Sequence, residues 1–551
     1  MTKPKEPSSK ERYEQYESAK KRADVVNPYL DEAYRFVLPD KDDFFDESVP
    51  RQGELKIFDS TAVEANVDFA NNLQRLLMPP YTEWFSYVSG EIIDDDPNLS
   101  DDEKQQVKQI LQEQTKKVFR IIDDSNLSTT INMAFQDMGV STGVLIINEG
   151  DDKNPIQFVS VSMKEIVFDV GINGEMENFW FARKIKARKI LRKWPKATLS
   201  DSLQNTIKTN PDTEVMVIEG AIFIYENSDD AKFLYYVQLE ENKTDIFKEF
   251  RAFSPFIGFR LNVAPGEIYG RGPARNLLPK IRVLNKNFET KLRVADLMAF
   301  PILLRDNTGV LDLEATRKIE AGSVIDIEPS LGGKDPIRQL PIQVNLQNLE
   351  ISSDKMQDEI RTGFNANPLP PSPKTPNISA TEINMREQQW LRKSSASIIR
   401  VIDSLFELVD KITRILRKKG ILKDLTYKNG ILTFEMGNKN IRLDYRSPIL
   451  DLQKKDDIGA FEAYLQFLIQ NFSEVAVAPS VKMTEIPIWA ADKFNVDQKL
   501  INSPETVKQK LGEIAQAAQQ QQDAKDQSSQ QPPPPGTQGS PATATGGASI
   551  L

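Results

Sequence analysis

The sequence contains no cysteine and no histidine among its 551 residues. Disulfides, thiolate nucleophiles, imidazole bases and the usual zinc sites are therefore excluded together. Carboxylates remain for magnesium or calcium, but they are scattered without the spacing of an EF-hand loop. A phosphate-binding loop is missing too. Gly333-Lys334 is followed by Asp335 instead of Ser or Thr, and Glu328 stands where the first glycine belongs. No apolar run has the length to span a bilayer, and the opening MTKPKEPSSKERYEQ has no apolar signal core. The expectation is a reducing, cytoplasmic setting with no membrane partner, no cofactor, no metal and no catalytic residues.

What is present is an ordinary apolar and charged composition in a chain long enough for several cores. The net charge of -10 argues against wholesale coating of nucleic acid, which needs a local excess of Lys and Arg. A local basic stripe stays possible. The C-terminal stretch 523–551 is rich in Gln, Pro, Ser, Gly, Ala and Thr and cannot build a core.

Residues 8–38 read as helix interrupted around Asn27-Pro28, and the acidic run 40–47 reads as a solvated loop. Asp59 can cap a helix carrying Val63, Val67, Ala70, Leu73 and Leu77, which Pro79-Pro80 stops. Tyr81, Trp84, Phe85 and Tyr87 read as core, because no basic residues interleave with them as base stacking would need. Ser100 opens a capping-box-like start to a helix reaching about Asp123, and a second helix covers 127–138. From 140 to 260 short apolar or alternating runs (VLIIN, IQFVSV, EIVFDV, NFWFARKI, EVMVIEGAIFIYE, KFLYYVQLE, FIGFRLN) predict a mostly β section. A basic helix over 187–194 interrupts it, read as a solvated face.

From Pro273 the spacing becomes helical, with a break or kink allowed at Pro279. Leu277, Ile281, Leu284, Phe288, Leu292, Ala295 and Ala299 fall on one stripe at about 100° per residue. Arg275, Arg282, Lys286 and Arg293 form a second stripe centred roughly 140° away. Taken alone this is a solvated helix face; the alternative is a face looking into a space that holds a polyanion. Short strands and turns follow over 301–344, and helix returns over 345–364.

Then comes a loop that contains Pro368, Pro370, Pro371, Pro373 and Pro376, none of which can donate a backbone hydrogen bond. It also carries Lys374. About 40 helix-compatible residues follow, reaching about 60 Å. Leu391, Ile398, Ile402, Leu405, Val409, Ile412 and Leu416 give them a near-heptad stripe, and Gly420 is the stop. A hairpin over 431–445 and helices over 452–472, 485–494 and 504–522 complete the reading.

Three stretches carry a family resemblance: AVEANVDFANNLQRLLMPPYTEWF, PFIGFRLNVAPGEIYGRGPARNLLPKIRVLNKN, and NISATEINMREQQW. In this order, across most of residues 10–475, they resemble the head-to-tail connector (portal) proteins of short-tailed double-stranded DNA bacteriophages. The resemblance implies an α+β portal fold and a homo-oligomeric ring of about twelve copies. It implies a wing (1–265), a stem helix (266–300), a small β-containing clip (301–344) and a second stem helix (345–364). The channel loop (365–380), a long wing helix (381–419), a helical wing and crown part (420–515) and a low-complexity tail (516–551) follow. The function implied is a virion channel for packaging, retaining and ejecting DNA, assembled in the bacterial host cytoplasm. Its partners would be double-stranded DNA, the terminase motor, a tail adaptor, capsid and scaffolding proteins, and internal core proteins at the crown. In such a ring Lys374 and the cations Arg275, Arg282, Lys286 and Arg293 become circles of positive charge toward phosphates. The contrasting reading is a carboxylate-dependent metal nuclease using Asp94, Asp95, Asp96, Asp101 and Asp102, with nothing beside them to act as a basic general base.

Overall fold

The structure is a computed structural model. It describes residues 6–39, 57–89, 101–224, 232–299, 303–305, 337–339, 346–364, 380–428, 431–434, 439–446, 448–471, 486–494, 496, 509–510 and 512–513. Met1–Asp94 with Leu111–Leu452 form one compact unit, and Asp95–Ile110 with Gln453–Leu551 form a second.

The first unit opens with α1 (Ser9–Val37), started by a capping box in which Ser8 and Glu11 bond each other's backbone amides. The expected interruption at Asn27-Pro28 does not occur: the helix runs through Pro28. Proline removes one backbone bond there, but buried Ala23, Leu30, Ala33, Tyr34 and Val37 anchor the helix on both sides. In α2 (Thr61–Leu77) Asp59 bonds the Thr61 amide at 3.1 Å, although the N-cap position belongs to Ser60. Val67 is exposed, while Phe69 and Leu76 are buried with Ala70, Leu73 and Leu77, so the buried face lies slightly around the helix from the expected stripe.

Next are β1 (Phe85–Ser89), α3 (Asp101–Asp124) and α4 (Leu127–Val140). The β-rich section holds β2 (Thr142–Glu149), β3 (Ile156–Val161), β4 (Ile166–Val170), β5 (Met176–Lys186), α5 (Ala187–Lys193), α6 (Asp201–Thr209), β6 (Glu214–Phe223), β7 (Phe233–Leu239), β8 (Asp245–Arg251) and β9 (Phe256–Arg260). Two antiparallel sheets result, in orders β3-β2-β9 and β4-β5-β6-β7-β8. The mixture of helices and antiparallel sheets agrees with the α+β class. Strand β8 and helix α6 have no counterpart in the sequence reading. DIFKEFR carries charges at Asp245, Lys248, Glu249 and Arg251, out of step with a two-residue alternation, which hides the pattern of an edge strand.

Then come α7 (Pro273–Ala299), β10 (Leu303–Arg305), β11 (Ile337–Gln339), α8 (Leu346–Gly363), α9 (Ala380–Lys418), β12 (Leu425–Lys428), β13 (Ile431–Phe434) and β14 (Lys439–Tyr445). Pro279 lies inside α7 without ending it. Strands β10 and β11 pair antiparallel. Gly420, at φ +73°, follows α9 in the left-handed conformation that glycine adopts without strain. The buried face of α9 is wider than a heptad seam, since Val401, Leu408 and Ile415 are enclosed along with Leu405, Val409, Ile412 and Leu416. Strand β1 pairs with β14, from Phe85↔Tyr445 to Ser89↔Ile441, in a sheet of order β1-β14-β13-β12. Trp84, Phe85 and Tyr87 are core beside Phe119 and Tyr445, whereas Tyr81 is exposed at φ +59°.

In the second unit α10 (Pro448–Asn471), from Gln453 on, meets α11 (Ile486–Lys493). Phe461 and Trp489 rings lie 5.0 Å apart, and Lys493 pairs with Asp457 at 2.6 Å. Tyr464, Phe467 and Ile469 of α10 remain exposed.

Candidate functional site

The start of α7 is set by how closely backbone meets backbone just before it. A β-carbon on Gly272 would run into the Gly139 carbonyl at the end of α4, so only glycine lets the two segments approach. Arg271 donates its amide to the Asn262 carbonyl at 2.7 Å and grips Glu267 through two side-chain bonds of 2.6 Å. Pro273 then occupies the first helical position, where its missing donor is harmless. Leu277, Ile281 and Leu284 bury the near half of α7, and the C-terminal end of α8 closes on Leu277 at Gly363. Lys280 and Glu359 tie the two helices at 2.8 Å, an arrangement that lowers the Glu359 pKa.

The four cations expected on α7 are all there, and each has an acidic partner. Arg275 approaches Glu267 at 3.4 Å and lies 5.5 Å above the Tyr29 ring. Burial pushes the Tyr29 hydroxyl up to about 12, against the opposing effect of Arg275. Arg282 takes both carboxylate oxygens of Glu32 on α1. Lys286 and Arg293 share Glu289, at 2.8 and 2.5 Å, and their hydrogen bonds and charge lower its pKa. The stripe therefore divides. Arg275 and Arg282 fasten α7 to neighbouring chain, while Lys286 and Arg293, 64% and 67% exposed, bring two positive charges to one carboxylate.

The apolar stripe divides in the same place. Beyond Leu284 the expected core positions Leu292, Ala295 and Ala299 are exposed, as are Val283 and Met298 on α7 and Ile351 on α8. In one copy of the chain that half buries Val294 and half-buries Phe288, and leaves these other apolar positions open. A groove of about 860 Å³ lies instead beside the near half of α7, bounded by Phe69 and Leu73 of α2, Leu277 of α7, Thr362 of α8 and Ile398 of α9.

Lys374 and the loop prolines Pro368, Pro370, Pro371, Pro373 and Pro376 lie outside the described residues, as do most of 301–344 and the tail. Asp94, Asp95 and Asp96 also lie outside them, and Asp101 and Asp102 are described in backbone alone. Sequence reasoning found the basic stripe but missed its partners. Glu289 was readable at i+3 from Lys286 and i−4 from Arg293; Glu32 and Glu267 gave no local signal.

The family model described as "Bacteriophage head to tail connecting protein" matches residues 9–501. The chain belongs to that family. The connector is thus a structural component of a phage virion, joining head and tail within an oligomeric assembly, and the nuclease reading gains no support. A comparison with curated proteins gives no match. Among solved structures the connector is similar to a chain of the "Virion of native gene transfer agent (GTA) particle", at 13% identity and TM-score 0.32, over 66% of this chain and 84% of that one. Among the described residues no helix is long and apolar enough to cross a membrane.

Proposed function

We propose that the connector is a portal: a ring of about twelve copies at one capsid vertex, around an axial channel through which double-stranded DNA is packaged, retained and ejected. The observation that carries this is the outer half of α7, which leaves Leu292 and Met298 exposed beside the exposed cations Lys286 and Arg293. Neighbouring copies would cover the apolar positions. The cations, multiplied by the ring, would give sequence-independent attraction to phosphates. Arg275 and Arg282, less exposed and paired with Glu267 and Glu32 from outside the helix, would contribute less.

In this reading 1–265 form the wing, 266–300 and 345–364 the stem, 301–344 the clip, 365–380 the channel loop, 381–419 the long wing helix and 420–515 the wing and crown. The tail 516–551 lies beyond them. A helix, a short strand pair and a returning helix suit a stem that projects toward a clip, where the packaging motor and later the tail would dock. Lys374 and the loop prolines would narrow the channel, and capsid, scaffolding and internal core proteins would meet the outer surfaces and crown. Assembly would take place in the host cytoplasm.

Electron microscopy of the purified protein tests the ring: particles with a central hole are expected from wild type and far fewer from Leu292→Asp. Monomers alone, or intact rings from Leu292→Asp, would refute the assignment of this face. Packaging assays on Lys286→Gln, Arg293→Gln and Lys374→Gln test the channel, and unchanged DNA retention in all three would remove these residues from it.

A further inference from the structure

A cleft of about 1070 Å³ opens where α5, the end of β8, β2 and the C-terminal part of α9 come together. Its charge is opposite to that of the chain as a whole. Arg192, Lys193, Arg251, Arg414, Arg417 and Lys418 line it against Glu149, Glu219 and Glu249, in a protein of net charge -10. A neighbouring hollow of about 570 Å³ shares Arg192 and Lys193 and adds Arg183, Lys184, Lys186 and Lys189 beside Glu214. The two make one basic band, in which a concave, low-dielectric wall strengthens the local potential.

Most of these cations are already paired. Lys193 holds Glu219 at 2.6 Å, Arg251 holds Glu249 at 2.9 Å, Arg414 holds Asp410 at 2.8 Å, and Lys418 holds Glu149 at 2.8 Å. Arg192 and Arg417 are exposed and form no ion pair among the described residues. The surrounding guanidinium groups are held over aromatic rings, Arg414 at 3.9 Å and Arg417 at 5.9 Å from the Tyr427 centroid, Arg251 at 4.0 Å from that of Tyr235. Such stacking restricts the side chains beforehand and reduces what an arriving anion must order.

The same stacking decides which anion fits. Single-stranded nucleic acid is gripped by aromatic faces open to its bases, but Trp194 and Tyr235 are buried beneath Lys193 and Arg251. Glu149 and Glu249 interrupt the positive wall, which opposes an unbroken run of phosphates and tolerates carboxylates set apart along a chain. Phe250, 42% exposed, adds an apolar contact at the rim. The volume is close to that of pockets enclosing small ligands, roughly 300–1,000 Å³, so a short extended segment fits and a duplex does not.

We propose that this cleft docks a short acidic peptide segment of a protein partner, its carboxylates engaging Arg192 and Arg417 and an apolar residue between them resting on Phe250.

The test is fluorescence anisotropy on the assembled full-length protein. Its probes are a labelled peptide alternating Glu with Leu and Gly and a labelled oligothymidylate of equal charge. Peptide binding is expected to weaken with salt and to fall roughly tenfold or more in R192E/R417E, the loss of two charge-assisted hydrogen bonds. Oligothymidylate should bind more weakly. Circular dichroism checks folding, and R192Q/R417Q replaces the charge reversal if that variant unfolds. Absent peptide binding, or binding unchanged in the folded variant, overturns the proposal. Tighter oligothymidylate binding that the variant abolishes also overturns it, in favour of a nucleic-acid backbone site.

Discussion

Replacing Glu219 by Gln takes the counter-charge from two cations at once. Its Oε1 accepts from Arg183 at 2.8 Å and Lys193 at 2.6 Å, its Oε2 accepts from the Tyr235 hydroxyl at 3.0 Å, and its side chain is 2% exposed. At an effective dielectric near 20 each ion pair is worth about 6 kcal/mol of Coulomb energy, most of it offset by desolvation. Removing one partner from a buried pair costs about 3–5 kcal/mol because the other charge is left unmatched. Arg183 and Lys193 are 26% and 30% exposed and regain some water, so the lower end applies. Glu219→Gln should therefore cost about 3 kcal/mol. With an unfolding entropy of roughly 2.1 cal/mol/K per residue over a cooperative unit of roughly 400 residues, the melting midpoint should fall by about 3–4 °C.

The pH dependence gives a second readout. Burial lowers the Lys193 pKa, and Glu219 opposes that shift. Between a lowered folded value and the unfolded one the unfolded chain binds more protons, so stability rises with pH there. Without Glu219 that interval extends to lower pH, and the deficit of the variant should shrink as pH rises. Thermal melts followed by tryptophan fluorescence, with Trp194 beside the site, measure both effects. A variant within about 0.5 kcal/mol of wild type, the range of an ordinary surface change, would refute the role given to this carboxylate. So would a deficit that grows with pH.

Burial raises the pKa of Tyr34, Tyr87, Tyr235, Tyr236, Tyr269 and Tyr427. Their contribution to stability is complete below the unfolded value of about 10 and is lost as pH rises through the folded values. Tyrosinate absorbance from these groups should appear together with loss of circular dichroism; their ionisation in a still-folded protein would contradict the packing. Gly272→Ala should prevent stable folding or sharply reduce yield, since the added methyl meets the Gly139 carbonyl. Near-wild-type melting of that variant would show that the approach can relax.

Much of the fold is legible locally. The capping box at Ser8, Pro79-Pro80 behind α2, the apolar spacing of α9 and Gly420 at its end all mark elements through neighbours a few residues away. Seven of the quoted apolar runs became strands for the same reason. Prolines misled where packing outweighed one lost hydrogen bond, at Pro28. Strand β8 and helix α6 were hidden by their charged and polar residues.

The sequence alone determined the family, through three ordered stretches, and determined most of the order of helices and strands, β8 and α6 excepted, because periodicity, caps and turns are local. Tertiary structure decided everything that depends on residues distant along the chain. It paired β1 with β14, set Glu32 against Arg282, and divided the stripe of α7 into a fastened half and an exposed half. It also gathered Arg192, Arg251 and Arg417 into one cleft. No local pattern encodes such meetings; they follow from which faces must be buried together and which charges then find each other.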